Sequence, residues 1–338
     1  MGFNDEKVNL EFIYRSRMFP DASQMFVWVF RNPVDRNNPS MDGYVLDLKS
    51  AEITTHIQSG LKSTAPVFNK RGEPVWSSRL LDDGRLREYV VFADSAFQVH
   101  NKILVPDNEE VFDLLCYGND LIVLTVDADR ANKLYNLDVQ KEEWKILRGD
   151  NALLRIFPVG ESIWISSELE PEPFTVEDVF TGNKIYTSDP ASVESLLNIT
   201  PNGRLLIFRH TKQFHRYAAG ELRSNSQPAA PRTPMKRSPE MAEVIAYDTT
   251  GQLIWQSPYR SFDDGHLTDT SLALVEDKNG KYMLNAGPIG QLNQVAESEY
   301  PLTIVGQSDY GWVCIEYGER VLLCSQGETR VLFEVRLI

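Results

Sequence analysis

The stretch "GYVLDLKSAEITTHI" (residues 43–57) decides the fold, because its shape returns along the chain. An apolar strand ends in Asp47, a short turn follows, and a second strand begins. The same shape recurs in "LYNLDVQKEEWKIL" (134–147), "TVEDVFTGNKIYTS" (175–188) and "VIAYDTTGQLIWQS" (244–257), with Asp138, Asp178 and Asp248 at the equivalent place. "VVFADSAFQVH" (90–100) is a weaker copy at Asp94, and "LLCSQGETRVLFEV" (322–335) puts Ser325 there.

The spacing sets the architecture. Asp47 and Asp94 are 47 residues apart, the next steps are 44 and 40, and the step to Asp248 is 70. Removing an insertion of about thirty residues returns that step to about 40. The 77 residues from Asp248 to Ser325 make two steps, with a degenerate unit around "SLALVEDKNGKYMLNAG" (271–287). A period of about 40–45 residues with about four strands per unit is the signature of a β-propeller. The expected fold is all-β: a propeller of seven blades of four antiparallel strands, or six if the degenerate unit is no blade. Each Asp is expected at the turn between third and fourth strands, accepting backbone N–H bonds. Gly182 and Gly251 supply permissive backbone there.

"GYVLDLKSAEITTHI" and "AEVIAYDTTGQLIWQS" (242–257) resemble the second half of a WD40 repeat, where a Trp-Asp pair precedes the turn and the fourth strand. "TGQLIWQS" resembles the quinoprotein-type propeller repeat equally. Leu46, Ala93, Leu137, Glu177 and Tyr247 stand where the Trp would, and the opening Gly-His pair is missing. The resemblance therefore reaches the superfamily and no named family. It implies a toroid with a central channel, whose faces bind other proteins. The first and last units each offer four strands, so closure is expected between whole blades, with the termini side by side.

Residues 1–338 are read as a single propeller domain. Net charge is −14, which argues against nucleic-acid binding and against anionic membrane surfaces. Three cysteines, Cys116, Cys314 and Cys324, suggest a reducing compartment rather than a disulfide framework. A turn centred on Gly318 and Glu319 would set Cys314 opposite Leu323. The start "MGFNDEKVNL" is no signal peptide, and "LIVLTV" is too short to span a bilayer. A cytoplasmic location, or one inside a particle, is expected.

Chemistry is sparse. The five histidines, His56, His100, His210, His215 and His266, show no ligand spacing. "SFDDGHLTD" (261–269) is the densest polar cluster, where Asp263, Asp264 and Asp269 would suit a divalent cation. The plainer reading is a solvated loop. "DADRANKLYNLD" (127–138) starts like an EF-hand and then departs from it. No nucleophile elbow, phosphate loop or Cys-x-x-Cys occurs. No cofactor is expected, and whether a metal binds is left open.

The insertion, residues 211–240, carries six basic and two acidic residues, so it is +4 against −18 for the rest of the chain. Pro228, Pro231, Pro234 and Pro239 forbid regular structure through its second half. It is either a flexible insertion within one blade or a docking arm for an acidic protein partner, with Arg232, Lys236 and Arg237 as contacts. In a eukaryotic host Thr233-Pro and Ser238-Pro would offer phosphorylation sites. The leading functional expectation is a non-enzymatic propeller acting as a protein–protein interaction or assembly subunit. The alternatives are a propeller enzyme, hydrolase or lyase, with a channel site, and a structural component of a viral or other large particle.

Overall fold

The structure, a computed structural model, describes residues 11–31, 40–59, 63–106, 109–150, 153–168, 173–189, 193–210, 242–259 and 262–335. Its strands form seven four-stranded antiparallel sheets, each built from four consecutive strands. These are the blades of a seven-bladed β-propeller. They span residues 11–59, 67–104, 110–150, 153–187, 193–259, 262–298 and 302–334, numbered blades 1 to 7. The degenerate unit around residues 271–287 belongs to a whole blade, blade 6, which settles seven over six.

All five aspartates occupy the expected turn between third and fourth strands. Asp47 Oδ1 accepts the N–H groups of Lys49 (3.0 Å) and Ser50 (2.7 Å). Asp94 Oδ1 accepts those of Ala96 and Gln98, both at 2.9 Å. Asp138 accepts those of Gln140 and Lys141, Asp178 those of Phe180 and Thr181, and Asp248 those of Thr250 and Gln252. Gly251, with φ +78°, closes its turn in the left-handed region.

The second strands of blades 1, 3 and 6 hold unbroken apolar runs buried on both faces. Met25–Val29, Leu121–Leu124 and Leu272–Val275 are buried along their whole length. Fourth strands, at the blade edges, leave Ile53, Ile146, Leu253 and Val331 exposed. Trp144 accordingly lies on its fourth strand only partly buried, edge-on to Tyr135. In blade 5, Trp255 rather than Ile254 turns toward the core.

The chain divides into two compact units, Met1–Asn151 with Val305–Ile338, and Ala152–Ile304. Within the first, blades 1 and 7 share a core that joins Ile13, Met25 and Leu46 to Val313, Val321 and Leu332. Ile13 N–H donates to Gly318 O at 2.6 Å, yet among the described residues no strand is exchanged. Closure between whole blades is thus observed. Within the second, blades 4 and 5 bury Trp164, Val176, Leu205 and Ile207 together, and blades 5 and 6 bury Leu206, Val244 and Leu274.

Two local expectations are corrected. Cys314 pairs with Leu322, not Leu323, because Glu316 and Arg320 flank a three-residue turn with Tyr317 and Gly318 at positive φ. Cys116, Cys314 and Cys324 form no disulfide. "SFDDGHLTD" is no solvated loop: Phe262–Leu267 is the first strand of blade 6.

Candidate functional site

The first strands of blades 5 and 6 lie against one another, as do those of blades 2 and 3. That of blade 6 carries Asp263, Asp264 and His266 among its six residues. In Phe262–Leu267, "FDDGHL", the register shifts between Phe262 and Asp264, so Asp263 is the extra residue of a bulge. Past it, strand alternation puts Asp264 and His266 on one face, with Gly265 and Leu267 on the other. Leu267 is buried against blade 5, and Asn198 of that blade clamps it. Asn198 Oδ1 accepts Leu267 N–H at 3.1 Å, and its Nδ2 donates to Leu267 O at 3.3 Å. The strand is therefore held firmly behind its polar face.

Asp264 Oδ2 accepts the N–H of Ile304 at 2.7 Å, and Oδ1 accepts that of Gly265 at 2.9 Å. Burial pushes its carboxyl up to about 6, against the pull of those two N–H groups and with a smaller push from Asp263. Burial alone lowers His266 to about 4. Both groups nevertheless keep some accessible surface. Two residues apart on one face, their backbones stand about 6.5 Å apart. Between pH 4 and 6 the pair is a neutral carboxylic acid beside a neutral imidazole, a proton donor and a proton acceptor on one rigid strand.

The cation reading of this stretch is not supported. Asp264 directs both oxygens to main-chain N–H groups, and Asp269 lies beyond the strand. Among the described residues no three His, Cys, Asp or Glu side chains are placed to hold a metal ion. Asp127 likewise serves its own turn, accepting the N–H groups of Asp129 (3.0 Å) and Ala131 (2.9 Å). His56 lies within its strand, 3.1 Å from the buried Asp42 and stacked on Tyr44. Arg232, Lys236 and Arg237 lie outside the described residues.

Two further buried carboxylates hold structure. Glu109 accepts hydrogen bonds from Thr125 (2.6 Å), Lys133 (2.7 Å) and Tyr135 (2.9 Å), all in blade 3. Glu194, wholly buried, takes Arg209 Nε at 2.5 Å and the Tyr186 hydroxyl at 2.6 Å, pinning blade 5 to blade 4. Their partners satisfy them within the fold, whereas among the described residues no cation offsets the burial of Asp264.

No family model and no curated protein matches the chain. Solved structures do. The β-propeller domain of the Trilobed protease from Pyrococcus furiosus, described as having an open velcro topology, aligns with TM-score 0.62 at 12% identity over 96% of both chains. Pyrococcus horikoshii acylaminoacyl peptidase aligns with TM-score 0.63 at 11% identity, covering 96% of this chain and 53% of that one. An oligogalacturonate lyase in complex with manganese aligns with TM-score 0.59 at 11% identity, covering 96% and 88%. The chain thus spans about half the length of the peptidase. These likenesses establish the propeller fold. They also correct the leading expectation of a non-enzymatic interaction or assembly subunit, since these similar propellers belong to peptidases and a lyase.

Proposed function

We propose that the chain is the propeller of an enzyme of the hydrolase or lyase class, with Asp264 and His266 as its acid–base pair. Both reaction classes need one group to take a proton and another to give one. The observation that carries the reading is the placement of Asp264. It is a carboxyl buried on a first strand, without a counter-cation among the described residues, on the same strand face as an imidazole that burial keeps neutral. A carboxyl pushed toward the working pH range is suited to proton transfer and costs stability, so it fits a functional role better than a structural one.

Of the two classes, the lyase is favoured by coverage. The aligned lyase is matched over 88% of its length, so chemistry in a propeller of this size needs no further domain. The peptidase is matched over only 53%. The test is turnover of oligogalacturonate, with N-acylated peptides as the second substrate, by the purified chain. Asp264→Asn and His266→Gln are each expected to lower the rate by about a hundredfold or more while remaining folded. Full activity in both variants, or no turnover of either substrate by the wild type, would overturn the reading.

A further inference from the structure

A cavity of about 450 Å³ opens where the turns after the first strands of blades 1, 2 and 3 meet. Small-ligand sites occupy about 300–1,000 Å³. The cavity has a cause in the sequence. The first strand of blade 2 is cut to Val67–Phe68, since Pro66 has no N–H to pair. Arg17 of blade 1 then reaches past it to Asp113 of blade 3, at 3.3 Å.

The walls define what fits. Phe19 and Phe68 pack with ring centroids 4.2 Å apart and form an apolar side. Cys116 forms another; burial pushes its thiol up to about 12, so it stays a neutral, weakly polar surface. The wall residues Asp21 and Asn69 are occupied by their own turns. Asp21 accepts from Ser23 N–H and hydroxyl, and Asn69 Oδ1 accepts from the N–H groups of Arg71 and Glu73. Lys70, on the rim, is exposed. The Arg17 charge lies close enough to act on Cys116. The cavity therefore combines an aromatic wall with the Lys70 ammonium at its rim; the Asp21 carboxylate of the wall is held by Ser23, and the Arg17 charge behind is paired with Asp113.

We propose that this cavity binds a free carboxylate carried on an aromatic or aliphatic body, with the body against Phe19 and Phe68 and the carboxylate at Lys70. All of these residues belong to blades 1 to 3, whereas Asp264 and His266 belong to blade 6. Its test is titration of the full chain with N-acetyl-phenylalanine, its uncharged amide, and the peptide Gly-Gly-Phe, followed by NMR at the Gly72 and Gly118 amides and by calorimetry. Expected are shifts at those amides with both acids, and affinity for N-acetyl-phenylalanine about tenfold weaker in the exposed variant Lys70→Glu, which exchanges attraction for repulsion. Tighter binding of Gly-Gly-Phe than of the free acid would assign the natural ligand to a peptide carboxy-terminus; the reverse would assign it to a free acid. Equal binding of the amide, indifference to Lys70→Glu, or no shifts at these glycines would overturn the proposal.

Discussion

Asp264 and the turn aspartates are one residue type under opposite pressures. Asp47 is held below the usual carboxylate range chiefly by Ser50, Asp138 by Lys141 and Asp248 by Thr250. At Asp178 burial pushes upward, but Ser162 and the turn N–H groups outweigh it. A depressed acid contributes stability that is present above its unfolded value of 3.8 and is lost as pH falls through the lowered one. Melting temperature is therefore expected to drop below about pH 4, and less steeply in Asp248→Asn, which keeps an acceptor oxygen and has no charge to lose. Asp264 has the reverse sign. Its contribution is full below 3.8 and is lost as pH rises through about 6. A shift of about two units corresponds to at most about 3 kcal/mol. Asp264→Asn should thus gain on the wild type between pH 4 and pH 7, less whatever one lost N–H acceptor costs. A stability difference independent of pH would show that burial does not tune this carboxyl. His266, lowered from 6.5 to about 4, favours folding above 6.5 and loses that contribution as pH falls.

At the scale of strands, cost follows position in the blade. Trp28, on a second strand, is 1% exposed and donates Nε1–H to Thr64 O at 2.7 Å. Trp28→Ala should cost about 3–5 kcal/mol in chemical denaturation, and Trp144→Ala on its half-covered fourth strand clearly less. Glu194→Ala should cost about 3 kcal/mol, because Arg209 and Tyr186 lose a fully buried partner. These positions also explain what the sequence revealed. The second strands of blades 1, 3 and 6 are covered on both faces, so their apolar runs stand out, and the Asp turns mark the ends of third strands. First strands mix core and polar residues, so "FDDGHL" reads as a loop although Gly265 and Leu267 alternate inward past a bulge. The cavity residues Phe19, Phe68, Lys70 and Cys116 come from three separate blades, and no local pattern links them.

For the molecule as a whole, the repeat carries the fold and the departures from it carry the candidate chemistry. The insertion at residues 211–240 interrupts blade 5 without unpairing it, since the flanking strands stay in register from Leu205↔Tyr247 to His210↔Ala242. Replacing it by a short Gly-Ser turn should leave the melting temperature within a few degrees, because loop closure changes slowly with length. A chain that fails to fold after that replacement would make the segment structural. The central claim, that Asp264 and His266 form an acid–base pair, is tested most directly by the pH dependence of kcat/KM on whichever substrate the chain turns over. A protonated Asp264 and a neutral His266 coexist between about 4 and about 6. The wild type should therefore give a bell with its maximum near pH 5, and Asp264→Asn should lose the alkaline limb along with most of its rate. An alkaline limb that survives unchanged in Asp264→Asn would contradict the assignment.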